Sequence, residues 1–156
     1  MTGELSGPEQ RLAELGLHVP EVAKPVAAYV PAVRSGAHVF TSGQLPMRSG
    51  ELMATGKVGG EVGVDQAVEC AQQCALNALA AIRAEVPLDR IVRVVKLVVF
   101  VASTPDFTGQ PGVANGASEL VGKIFGEGGR HARSAVGVPV LPLDAPVEVE
   151  MTVEVA

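Results

Sequence analysis

Two stretches of this chain carry residue types able to do chemistry together: Arg133-Ser134-Ala135-Val136 and Val147-Glu148-Val149-Glu150, which read as short apolar strands joined by a link containing Leu141-Pro142. A guanidinium is permanently charged and presents a planar fork of donors, suited to bidentate capture of a small carboxylate. A glutamate beside it can hold or deprotonate a water. From Val147 to Val155 the alternation is strict. Val147, Val149, Met151, Val153 and Val155 point one way, and Glu148, Glu150, Thr152 and Glu154 point the other. One face is core and the carboxylate face meets solvent or a cleft. Like charges spaced two apart repel mildly, so a nearby cation lowers their cost, and Arg133 is the closest candidate in sequence. The same pattern also fits the solvated face of an outer strand with Arg133 as a surface residue, and alternation alone does not choose between them.

The elements that must position these residues fit within one domain of 156 residues, the first 25 or so forming an extension with a short helix. A formal net charge of −5, one Tyr and no Trp argue against a nucleic-acid surface, which needs basic patches and stacking aromatics. No leader pattern or long apolar run is evident, so the sequence predicts a cytoplasmic protein without a membrane span. Cys70 and Cys74 lie on a helical pattern, and with His18, His38 and His131 scattered, they read as small buried thiols rather than metal ligands. Nothing in the residues suggests a metal or an organic cofactor.

Ser6-Gly7-Pro8-Glu9 resembles a capping box for a helix running to Leu15, which reads as an appendage, followed by an extended link over residues 17–28. Val30 to Val33 and Ala37 to Ser42 flank Arg34-Ser35-Gly36 and predict a hairpin, while residues 47–63, rich in glycine, read as a loop. Asp65 is placed to cap a helix carrying Val68, Ala71, Ala75, Leu79 and Ile82 on one stripe. In Ile91 to Val101, Ile91, Val95, Leu97, Val99 and Val101 form one apolar face and Val92, Val94, Val98 and Phe100 the other, the mark of a central strand. A second helix spans about Val113 to Phe125 before Gly126, Gly128 and Gly129. The order predicts an α+β fold with two helices on one sheet face, and self-association to cover the other.

With these residues in view, the chain resembles the RidA (YjgF-type) family, which includes reactive-imine deaminases and proteins named L-PSP endoribonucleases. Three stretches over about Ala28 to Val155 carry the resemblance. They are Tyr29 with Gly36 and Val39-Phe40-Thr41-Ser42-Gly43-Gln44-Leu45-Pro46; Val94 to Val101 with Phe107 and Asn115; and Arg133-Ser134-Ala135-Val136 with Leu141-Pro142 and Val147-Glu148-Val149-Glu150. The resemblance implies a chorismate-mutase-like fold, a homotrimer with clefts between subunits, and hydrolysis of 2-imino acids to 2-oxo acids and ammonia. It implies that Arg133 binds the substrate carboxylate, that Glu148 positions water, that Tyr29, Ser42, Gly43 and Asn115 line the cleft, and that backbone at Ala135 contacts the substrate nitrogen. A cysteine is common in the family where Ala135 stands, and the N-terminal segment and Gly126 to Arg130 are longer than in compact members. Residue by residue, plainer roles stay open: Tyr29 at a strand edge with its hydroxyl wet, Ser42-Gly43 as a turn, and Asn115 as a helix N-cap. The expected partner is a small carboxylate-bearing substrate. Trimeric ligand binding without catalysis is the alternative, and endoribonuclease activity finds little support in an acidic chain poor in aromatics.

Overall fold

The computed structural model describes residues 7–22 and 28–156. Its strands are β1 (Ala32–Ser35), β2 (His38–Thr41), β3 (Met47–Arg48), β4 (Glu51–Leu52), β5 (Ile91–Ala102), β6 (Ala132–Val138) and β7 (Val147–Val155). Its longer helices are α1 (Gly7–Glu14), α2 (Val64–Arg83) and α3 (Gln110–Phe125). Five strands form one sheet in the order β1-β2-β7-β5-β6. β5 runs parallel to β6 and antiparallel to β7, so β7 and β6 are separated by the central strand.

The alternation predicted for Val147 to Val155 is realised: the valines and Met151 are buried, and the intervening Glu148, Glu150, Thr152 and Glu154 are half-buried. Their buried face is covered by α2 and α3, giving the α+β architecture expected. On the other face stand Phe40 and Val136, 47% and 44% exposed, among Lys96, Val98 and the β7 glutamates. None of the described helices is long and apolar enough to cross a membrane.

Several expectations change in detail. Asp65 does not cap α2, because the helix starts at Val64 with Gly63 as its N-cap; Asp65 sits in the first turn, where its charge complements the positive helix end. The buried surface of α2 is wider than a stripe, from Cys70 through Ile82, since α3, the sheet and the segment before β3 all pack on it. Residues 47–63 are not a featureless loop. β3 and β4 form a small hairpin there, and the buried Asn77 of α2 donates to Leu45 O and Met47 O, both at 3.0 Å, tying its start to the helix. The two faces of β5 also differ from the simple alternation. Register shifts between Ile91 and Arg93 and between Val94 and Lys96 change the phase, placing Val94 in the main core with Leu97. Finally, α1 is more than an appendage. Leu12 is fully buried, Arg11 Nη1 donates to Ile124 O at 2.9 Å, and Glu9 pairs with Arg83 at 3.0 Å. Ser6 of the expected capping box lies outside the described residues.

Candidate active site

The residues singled out from sequence assemble into two groups rather than one. The first lies on the strand β6, at the sheet edge. Arg133 pairs with Leu97 and Ala135 with Val99, so both look toward the helix-covered face. Arg133 Nη1 donates to Asn115 Oδ1 at 2.8 Å and to Ser118 Oγ at 3.1 Å. The N-cap role for Asn115 is excluded. α3 begins five residues earlier, at Gln110, with Pro111 in the first turn, where a missing N–H costs nothing. Asn115 is therefore inside the helix, and Ser118, three residues on, shares its face.

The second group gathers where β2 ends beside β7. Gln44 exchanges backbone hydrogen bonds with Val149 at 2.8 and 3.0 Å, which lays residues 42–44 along the strand. Ser42 Oγ donates to Val30 O at 2.6 Å and Ser42 N to Pro31 O at 2.8 Å, fixing the chain just after Tyr29, an exposed residue (48%). Gly43 faces Glu148 so closely that a Cβ on it would stand 2.8 Å from Glu148 Cδ. The glycine leaves room for that approach of the Glu148 side chain, and its backbone is not in a positive-φ turn. Desolvation between these groups raises the Glu148 carboxyl above its ordinary range, and the negative charge of Glu150 adds to the rise.

Arg133 does not serve as counter-ion to the β7 carboxylates, as adjacency in sequence had suggested. β5 lies between them, about two strand spacings or ~10 Å of lateral separation. Parity then puts them on opposite faces: Arg133 is in register with Leu97, Glu148 with Phe100, three residues along an uninterrupted stretch of strand. A cleft of about 520 Å³ opens beyond Ala135, between Lys57, Ser103, Phe107, Gln110 and Gly137, and includes neither Arg133 nor Glu148. Sequence reasoning missed Ser118 and His131, which meet at 2.8 Å beside Arg133. Their signals were present in the spacing, with Ser118 one turn after Asn115 and His131 two residues before Arg133.

A five-stranded sheet carrying two helices on one face, with an arginine held on its edge strand and a half-buried glutamate on its opposite face, defines a chorismate-mutase-like protein with a split polar site. The chain belongs to the YjgF/RidA family: the family described as "YjgF/chorismate_mutase-like, putative endoribonuclease" matches residues 9–155. It is 47% identical to Protein TCP17 of Trypanosoma cruzi over 145 residues, covering 92% of this chain and 91% of that protein. It is 33% identical over 139 residues to a 2-iminobutanoate/2-iminopropanoate deaminase of Dermatophagoides farinae, covering 88% and 93%. Among solved structures, the protein Atu1372 of Agrobacterium tumefaciens, described as of unknown function, is 47% identical and superposes with a TM-score of 0.91 over 96% of this chain and 93% of its own.

Proposed function

We propose that this protein hydrolyses the C=N bond of 2-imino acids, releasing ammonia and a 2-oxo acid, in clefts shared between the copies of a homotrimer. The observation that carries the proposal is the division of the site. One chain presents, on one face of the sheet, an arginine that no carboxylate among the described residues pairs with, and on the other a glutamate of raised pKa. A second copy meeting the sheet edge would bring one chain's Arg133 to the next chain's Glu148 and cover the exposed Phe40 and Val136. The relative named as an imine deaminase supports the choice of reaction.

In this mechanism Arg133 holds the substrate carboxylate through two parallel hydrogen bonds, which fixes the plane of the imine. Backbone at Ala135, on the outer strand, orients the imine nitrogen, and Tyr29, Ser42 and Asn115 shape the cleft. Glu148 accepts a proton from water as the water oxygen attacks the imine carbon. The C=N bond becomes single and its nitrogen takes the proton back from Glu148, giving a carbinolamine. Glu148 then accepts the hydroxyl proton as C=O forms, and the C–N bond breaks with that proton passed to the departing nitrogen, leaving a 2-oxo acid and ammonia. A carboxylate whose pKa is raised by burial is a stronger base than a free one, which suits it to this step. Holding an already electrophilic imine and a water in attack geometry supplies much of the acceleration.

The test is ammonia release from freshly generated 2-imino acids of several side-chain sizes, with light scattering on the same samples. Arg133→Lys should impair turnover nearly as much as Arg133→Ala. Lysine keeps the charge but not the fork, a loss of about 1.5–3 kcal/mol, or roughly tenfold to hundredfold in rate. A clean monomer at micromolar concentration, or wild-type rates in both variants, would refute the shared cleft or the anchor respectively. Arg133-dependent carboxylate binding without turnover would instead identify a ligand-binding module.

A further inference from the structure

We infer that Ser118 and His131 are positioning residues that aim the Arg133 guanidinium, leaving its Nε–Nη2 edge as the fork that receives the substrate carboxylate. The inference deepens the proposed function and rests on it. The relay starts at a carbonyl. His131 Nδ1 lies 2.6 Å from Gly129 O. A carbonyl only accepts, so Nδ1 carries a proton, and in the Nδ1–H tautomer Nε2 is an acceptor. Ser118 Oγ is 2.8 Å from that Nε2, so the serine hydroxyl donates to it. The remaining serine lone pairs accept from Arg133 Nη1 at 3.1 Å, while Asn115 Oδ1 accepts from the same nitrogen at 2.8 Å. Both hydrogens of Nη1 are thereby used.

What remains on Arg133 is one N–H on Nε and two on Nη2, for which no described residue supplies an acceptor. Nε and Nη2 each point one N–H along the same edge of the guanidinium, and that pair matches the two oxygens of a carboxylate. The identity of the holders matters as much as their geometry. Serine and asparagine are neutral, so they fix the guanidinium without cancelling its charge, whereas a carboxylate holder would compete with an anionic ligand. Local backbone makes the relay possible. A Cβ at Gly129 would collide with the carbonyl of Val121, so only glycine lets this segment close against α3 and present its own carbonyl to His131.

The full chain is tested by isothermal titration with pyruvate as the probe, alongside imine turnover. Ser118→Ala and His131→Ala should each weaken pyruvate binding by about tenfold and raise KM along with lowering kcat, because a loosened fork misplaces the reacting carbon. Ser118→Thr, which keeps the hydroxyl, should bind as wild type, and Arg133→Ala should abolish binding. One readout needs no variant: the ¹⁵N spectrum of wild-type protein near neutral pH should show His131 as the Nδ1–H tautomer, and the Nε2–H tautomer would overturn the relay. If Arg133→Ala abolished binding while Ser118→Ala and His131→Ala bound normally, the relay would be wrong and the proposed function would stand. If pyruvate binding did not depend on Arg133 at all, both would fall.

Discussion

Gly43→Ala separates the chemistry of Glu148 from the stability of the fold. The new methyl would stand 2.8 Å from Glu148 Cδ, 2.9 Å from Oε1 and 3.0 Å from Cγ. Carbon atoms in contact prefer about 3.5–4.0 Å, so the carboxyl must retreat by roughly 1 Å. The atoms in the way belong to the outer part of a flexible side chain, and Gly43 is not among the residues of positive φ. Relief therefore comes from swinging Glu148 rather than from moving backbone. The alanine also restricts the unfolded chain, a gain of about 0.4–1 kcal/mol that offsets much of the repacking cost. Stability should stay within about 1 kcal/mol of wild type. Turnover should not. A displacement of about 1 Å at a positioned catalytic group costs on the order of a hundredfold, near 2.7 kcal/mol of barrier.

The pH profile of the same variant gives an independent reading. Glu148 acts as a base only when ionised, so activity is lost as pH falls through its pKa. Since burial raises that pKa, the wild-type acid limb should lie above the range of an ordinary glutamate. Pushing the carboxyl out toward water should move the limb to lower pH. The assay is ammonia release across pH, with thermal melting as the control for folding. A folded Gly43→Ala protein with wild-type rate and an unmoved acid limb would refute Glu148 as the base.

Glu148→Gln should abolish most turnover yet melt no lower than wild type near neutral pH. Its raised pKa means that the ionised form is disfavoured in the fold, so the stability of wild type relative to the variant should fall as pH rises through that pKa and converge in acid; the opposite trend would contradict the burial assignment. Cys70 and Cys74 should resist alkylation in the native protein at pH 8. Burial, with Glu69 adding to it, pushes the Cys70 thiol up to about 11, and burial pushes Cys74 up as well; replacing both with Ala should cost about 1–2 kcal/mol without loss of activity, as measured by denaturant unfolding and turnover. Arg83→Ala should free α1 and the segment at Val19-Pro20, whose carbonyls its Nη2 reaches at 3.5 and 3.1 Å, read out as faster amide exchange there and little change in β5 or β7.

The strand Val147 to Val155 could be read from sequence because alternation with period two is a local property, and the pleat converts it directly into two faces. The hairpin before Ser42 and the amphipathic character of α2 were legible because turn residues and a period of 3.6 are likewise local patterns. The motifs around Arg133 and Glu148 marked which residues to follow. Their spatial relation was not legible, since it depends on strand order and register. Once β5 inserts between β6 and β7, residues close in sequence are separated, and the offset between Leu97 and Phe100 sends them to opposite faces. Only the folded chain sets Gly43 against Glu148, gives the Asn115 side-chain carbonyl to Arg133, and joins Ser118 to His131. Each of these is a side-chain contact between elements distant in sequence, fixed by packing of α3 and the 42–44 segment against the sheet, and no periodicity within a single segment encodes it.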